Sequence, residues 1–104
     1  MTVNKREQYP SKEAKELFKA ILKLRSENEA SLFFRDLLTI KEIAEFSTRF
    51  QIAKLLYQKK LSYDKISKIC QTSTTTVTRV AHWLNHGMDG YKLILDRLLK
   101  SSKK

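Results

Sequence analysis

A run of small hydroxyl side chains is the feature of this sequence best suited to contact nucleic acid. The run consists of Ser73, Thr74, Thr75, Thr76 and Thr78, and Arg79 follows it. Because β-branched residues lose rotamer freedom in a helix interior, helix stability alone does not explain the run. Hydroxyls at a helix N-terminus can approach phosphates, bond base edges and touch thymine methyl groups. The run predicts a DNA-contacting helix start; the alternative is a polar first turn that Ser73 simply caps.

Other residue types that could do chemistry give weaker patterns. His82 and His86 have metal-ligand spacing, but no HExxH glutamate or cysteine set accompanies them, so we expect no metal site. Cys70 is the only cysteine, which excludes an intrachain disulfide and fits a reducing cytoplasm. The sequence has no glycine-rich phosphate loop and no recognisable set of nucleophile, base and orienting residue. We therefore expect neither an enzyme nor a bound cofactor.

Positive charge is concentrated in the C-terminal half of the chain. The net charge is +10; residues 1–48 carry nine basic and eight acidic side chains, whereas residues 49–104 carry twelve basic and three acidic ones. Such a surface attracts polyanions, because each cation near a phosphate releases condensed counterions. Charge alone also fits a basic helical interaction module that binds RNA or an acidic protein. That module is the alternative to a DNA-binding protein.

The spacing of apolar residues predicts an all-α protein. With two glycines and one proline, the chain has few of the residues that tight turns in a sheet require. We expect a flexible arm over residues 1–10, one helical domain over 11–99 and a basic tail over 100–104. The predicted helices are one capped by Ser11, a second after a break at 26–28, a third from the Thr39–Glu42 capping box to about Lys59, a fourth capped by Ser62, a fifth over 74–85 that stops at Gly87, and a last one from about Asp89.

No signal peptide or membrane span is expected. The first ten residues lack an apolar h-region, and no apolar run approaches the roughly 18 residues that a span requires. The sequence therefore predicts a soluble cytoplasmic protein without a membrane partner.

A helix-turn-helix is predicted over roughly Tyr63 to Leu84. The motif needs apolar or small residues at fixed places in both helices and in the turn between them. Ser67 is small at a position where bulk would collide, and Gln71 stands at the turn position where glycine is usual. The residues at the inward positions are Ile66, Cys70, Thr72, Val77 and Val80.

These motifs together resemble the Trp repressor superfamily, and within it the YerC/YecD-type branch. The resemblance implies a six-helix protomer that forms an intertwined homodimer and places two recognition helices in successive major grooves. It further implies a transcriptional regulator, a repressor, that reads a palindromic operator in double-stranded DNA. The resemblance is carried by Leu38-Thr39, Thr48-Arg49, Leu55-Leu56, Thr76-Val77-Thr78-Arg79 and Leu98-Leu99.

The resemblance also assigns DNA contacts to individual residues. Asp64 stands where the family's repressor has a basic residue, and a carboxylate would repel phosphate, so Asp64 is left out. Lys65 and Lys68 lie on neighbouring faces and could supply the missing charge. The predicted contacts are Tyr63, Ser67, Lys68, Ser73, Thr74, Thr75, Thr76, Thr78 and Arg79.

A second implied site is a co-repressor pocket behind the recognition helix. The family's tryptophan-binding positions correspond here to Thr39, Arg49, Thr76 and Arg79, but Val80 and Trp83 stand where the pocket has a small glycine and serine. Their bulk opposes entry of a free indole, so tryptophan is not expected as co-repressor and the effector is left open. Either Trp83 places its own indole beside the pocket against an arginine, or it packs in the core or a dimer interface.

Overall fold

The structure, a computed structural model, describes residues 8–100 and contains helices but no strand over that stretch. Residues 1–7 of the predicted arm and residues 101–104 of the predicted tail lie outside the described residues. The chain divides into two compact units, Met1–Ile40 and Lys41–Lys104. None of the helices within residues 8–100 combines the length and the apolar character of a membrane span.

The first unit contains two amphipathic helices that bury nothing fully. Helix α1 spans Lys12–Ile21 and helix α2 spans Glu27–Leu37. Ser11 caps α1 as predicted, and Ser26 caps α2, because each hydroxyl accepts a hydrogen bond from a backbone N–H of the first turn. Neither helix contains a buried residue, although α2 is apolar around much of its girth. Leu22, Leu32 and Leu37 of this unit are exposed, whereas Phe33 and Phe34 are half-buried.

The second unit holds the hydrophobic core. Helix α3 spans Ile40–Gln58 and lies in this unit from Lys41 onward. Helices α4 (Tyr63–Ile69), α5 (Thr74–His86) and α6 (Gly90–Leu95) follow. A π-helical segment, Asp96–Lys100, continues α6 directly. Ser62 caps α4 as the sequence predicts. Ser73 caps α5, which is the feature that the alternative to DNA contact invoked. The core consists of Ile52, Ala53, Ile66, Cys70, Val77, Val80 and Leu95.

The turn between α4 and α5 is a complete Schellman motif. The Thr72 N–H donates to the Ser67 carbonyl at 2.9 Å, and the Gln71 N–H donates to the Lys68 carbonyl at 3.3 Å. Gln71 has φ 55°, the left-handed conformation that such a turn requires and that glycine adopts most readily. The chain thus makes the glycine-type turn with glutamine.

Replacing Gln71 with glycine should stabilise the second unit by about 0.5–1 kcal/mol. The left-handed conformation costs an L-residue roughly 1–2 kcal/mol, and glycine removes this cost. Part of the gain is offset because glycine has greater conformational freedom in the unfolded chain. Chemical denaturation followed by circular dichroism measures the change. Gln71→Ala is the matched control and should leave the stability nearly unchanged, because alanine is as strained there as glutamine. Equal stability of the glycine and alanine variants would contradict the prediction.

The end of α5 differs from the expected glycine stop. The helix ends at His86 and Gly87 is its C-cap, but Gly87 has φ −87° and it is Asp89, with φ 65°, that takes the left-handed conformation. Glycine is needed at 87 for a different reason. A Cβ there would lie 2.4 Å from the Trp83 carbonyl oxygen, closer than non-bonded atoms approach.

The final helix packs through one stripe and leaves a second stripe exposed. Tyr91, Leu95 and Leu99 contact the core, whereas Ile94 and Leu98 are exposed, so the five apolar residues do not share one buried face. The Tyr57 hydroxyl donates to the Asp96 carboxylate and joins α3 to the π-helical segment. This bond lowers the pKa of Asp96 and raises the pKa of Tyr57. Its contribution to stability is therefore present above the ordinary aspartate pKa and is lost on acidification.

Candidate nucleic-acid interface

Helix α5 is held by a continuous apolar face. Val77, Val80, Ala81 and Leu84 are buried at the spacing of one helix face. At the start of the helix, the Ser73 hydroxyl accepts from the Thr76 N–H at 3.1 Å and lies 3.1 Å from the Thr76 hydroxyl. The inward positions predicted for a helix-turn-helix are buried, apart from Thr72, which is half-buried. The opposite face of α5 is thereby presented outward.

The hydroxyl groups on that face differ in whether they already form a hydrogen bond within the protein. The Thr78 hydroxyl donates to the Thr74 carbonyl at 3.0 Å, within the helix. Ser73 and Thr76 engage each other. The side chains of Thr74 and Thr75 are exposed, and neither forms a hydrogen bond with the rest of residues 8–100. Thr75 and Thr74 are consequently the hydroxyls best placed for an external ligand.

Helix α4 places its predicted contact residues in different environments. Tyr63 is partly exposed at the first position of the helix. Ser67 is only 5% exposed, and its hydroxyl donates to the Asp64 carbonyl at 2.7 Å within α4. The contact of Ser67 with DNA stays a prediction. The Lys68 ammonium lies 3.2 Å from the Asp64 carboxylate, with both side chains largely exposed. The carboxylate that interrupts the basic pattern is thus partly neutralised by its own neighbour.

A groove of about 880 Å³ opens beside α5 within the second unit. Five of the six residues predicted for an effector pocket line it, namely Arg49, Thr76, Arg79, Val80 and Trp83. The sixth, Thr39, belongs to the first unit. The groove is therefore built from α3, the turn, α5 and α6, with the two arginines on different helices.

The groove is cationic and partly aromatic. Lys41, Arg49 and Arg79 line it together with one acidic residue, Glu45, so the lining favours an anionic guest. The Arg49 guanidinium lies 5.3 Å from the centre of the Phe46 ring, a cation–π contact within α3. Trp83 is 61% exposed and therefore is not ordinary core packing in this chain.

Titratable groups at the groove are shifted toward their neutral forms. Burial raises the pKa of the Tyr91 phenol, and the charge of Arg49 opposes that shift. Burial likewise raises the pKa of the Cys70 thiol, which makes the thiolate scarce and the side chain unreactive.

Sequence reasoning missed more than half of the groove lining. On α3, the spacing of Lys41, Glu45 and Thr48 with Arg49 is the signal that could have placed them on one helix face. The turn residues and Tyr91 carry no such signal, because they reach the groove only through the tertiary fold. The missed residues are Lys41, Ala44, Glu45, Thr48, Cys70, Gln71, Thr72 and Tyr91.

Similarity to known proteins extends over most of the chain. The family model described as Trp repressor protein matches residues 12–99. A Bacillus subtilis (strain 168) protein described as "Uncharacterized protein YerC" is 40% identical over 87 residues, 84% of this chain and 83% of that one. The crystal structure of a TrpR-like protein from Eubacterium eligens ATCC 27750 has a TM-score of 0.80 at 40% identity and covers 86% of this chain and 91% of its own. A Staphylococcus aureus protein solved as a candidate Trp repressor has a TM-score of 0.82 at 38% identity, with coverages of 92% and 95%.

Proposed function

Because the chain belongs to the Trp repressor family and has a Trp repressor-like all-α fold, we propose that it is a sequence-specific DNA-binding transcriptional regulator, acting as a repressor. The observation that carries the proposal is the start of α5. There, the exposed side chains of Thr74 and Thr75 project from a capped helix whose opposite face is fixed in the core. Hydroxyls held in this way can read base edges in the major groove, while nearby lysines and Arg79 contact phosphates.

The reading unit proposed is a homodimer. The two helices of the first unit bury none of their residues, and Leu32 and Leu37 of α2 are exposed. Ile94 and Leu98 of the final helix are exposed as well. A second copy would cover such surfaces, and its twofold symmetry would present two recognition helices to a palindromic operator. Dimerisation and folding would then depend on each other.

Control by free tryptophan is not part of the proposal. Val80 and Trp83 add bulk to the groove, and Trp83 brings an indole of its own to the lining. Whether the protein has an effector is left open. If it has one, the positive charge of Arg49 and Arg79 favours an anionic molecule other than tryptophan. Calorimetric titration with L-tryptophan should show no binding; micromolar binding at one site per protomer would contradict this part of the proposal.

Selection of bound sites from a random duplex pool tests the proposal. At physiological salt, the selected duplex should compete roughly a thousandfold better than bulk DNA. Thr75→Ala should change which sites are selected, because it removes an unengaged hydroxyl from the reading face. Ser47→Ala is the matched control: its hydroxyl donates to the Ile43 carbonyl within α3, so its removal should leave the selected sites unchanged.

The basic helical module that binds RNA or an acidic protein is the second candidate, and the charge of the C-terminal half is what favours it. A purely electrostatic binder would lose affinity for every duplex alike as salt is raised and would select no site. That result would replace the proposed function with the alternative.

Replacing Asp64 with asparagine should strengthen binding to any duplex by roughly 3- to 10-fold at low salt. The change removes a carboxylate that repels phosphate and frees Lys68 from its ion pair, which should also steepen the salt dependence by about one counterion. Asp36→Asn on α2 makes the same change in net charge elsewhere and serves as the control. Equal effects of the two variants would show that net charge, and not the position of Asp64, governs affinity.

A further inference from the structure

Two imidazoles stand side by side on the second half of α5. The ring centroids of His82 and His86 are 5.3 Å apart and the ring planes are tilted by 43°. Imidazole nitrogens bind zinc at about 2.0–2.1 Å, so two rings that share one ion at a tetrahedral angle have centroids roughly 5 Å apart. The observed separation is already close to that of a chelating pair.

The surroundings leave both rings available as ligands. His82 and His86 are exposed, and within residues 8–100 neither forms a hydrogen bond or an ion pair. Their i, i+4 spacing is that of paired zinc ligands on a helix. His86 lies in the last turn of α5, where the negative end of the helix dipole favours a cation.

We propose that His82 and His86 chelate one late first-row divalent cation, of the zinc, nickel or copper type. Neutral imidazole suits these ions and not magnesium or calcium, which prefer oxygen. Residues 8–100 contain no group of three or more histidine, cysteine or acidic side chains that could hold a metal, so water would complete the coordination of the bound ion. The proposal departs from the expectation of no metal that the missing glutamate and cysteines suggested.

Trp83 provides a reporter for this site. It is the only tryptophan of the chain, and its ring meets the His82 ring edge-on with 5.0 Å between centroids. Nickel and copper ions have open d shells and quench a neighbouring indole, whereas zinc has a filled shell and should bind without quenching. Titration of the untagged full chain with Ni²⁺ should therefore quench Trp83 saturably at micromolar concentration, and added Zn²⁺ should reverse the quenching.

Single substitutions distinguish chelation from scattered surface binding. His82→Gln and His86→Gln should each raise the Ni²⁺ concentration needed for half-quenching by at least about tenfold, because each leaves a single ligand. Asn85→Ala, an exposed position between the two ligands, should leave it unchanged. Far-UV circular dichroism checks that each variant retains its helices. Quenching at an unchanged concentration in both histidine variants would overturn the proposal.

A measurement on the unsubstituted chain makes the test independent of variant folding. The chain has two histidines, so their imidazole C–H resonances are easily followed by NMR during a Zn²⁺ titration. Both should shift together with one binding isotherm. A shift of only one, or of neither, would overturn chelation. Because these titrations use the protein without DNA, their outcome is separate from that of the proposed DNA binding.

Discussion

Replacing Ile66 with alanine should lower the free energy of unfolding by about 2–5 kcal/mol, the range found when a fully buried aliphatic side chain is truncated. Ile66 is 0% exposed and belongs to one core cluster with Val77 and Val80 of α5. The cavity would therefore open between α4 and α5, the two helices of the helix-turn-helix. Since small domains are stable by only about 5–15 kcal/mol, the variant should be partly unfolded near physiological temperature and should also lose the proposed DNA binding.

Ile69 supplies the matched control on the same helix. It is the same residue type three positions later but is 50% exposed, so Ile69→Ala should cost roughly 1 kcal/mol or less. Denaturant unfolding monitored by circular dichroism compares the two variants, provided that the dependence on denaturant keeps its slope. Equal losses in the two variants would contradict the assigned packing of α4.

Gly87→Ala should destabilise the protein by about 1–3 kcal/mol, the range typical of forcing an atom into a space that is already filled. The new Cβ would lie 2.4 Å from the Trp83 carbonyl oxygen and 3.3 Å from its carbon. Both are backbone atoms, so the helix end itself has to move. The movement would break the hydrogen bond that the Gly87 N–H donates to the same oxygen at 3.0 Å.

The other glycine of the chain should respond in the opposite direction. Gly90 begins α6, has a negative φ, and a Cβ there would meet nothing within 4 Å. Gly90→Ala should therefore be neutral or stabilise the fold by up to about 1 kcal/mol, because alanine restricts the unfolded chain. Thermal unfolding of the two variants side by side makes the comparison. A stable Gly87→Ala variant would mean that α5 does not end as described.

Much of the fold could be predicted because local signals were strong. Ser11 and Ser62 each precede a periodic apolar run, and each caps the helix that follows. The predicted all-α, Trp repressor-like fold is confirmed. Gln71 obscured the turn because glutamine seldom adopts a left-handed conformation, and only the surrounding hydrogen bonds reveal why it does so here. The need for glycine at position 87 comes from the close approach of the Trp83 carbonyl, and the sequence pattern does not indicate such an approach.

The candidate site was harder to predict than the fold. The spacing of the residues placed the threonines at the start of α5. It could not show that the Thr78 hydroxyl donates to the Thr74 carbonyl or that Lys68 forms an ion pair with Asp64. Those assignments depend on side-chain conformations. The groove lining depends on how α3, α5 and α6 pack against one another. The apolar pattern of a single helix carries no information about that packing.

The absence of buried residues in α1 and α2 has a consequence for the lifetime of the protein. Helices of 10 and 11 residues are marginal in water on their own, so in an isolated protomer their amide protons should exchange almost as fast as in an unfolded peptide. Under the proposed dimerisation, protection of these amides would rise with protein concentration. At low copy number α1 and α2 would then be open to proteases, and the protein would persist only above a threshold of its own abundance.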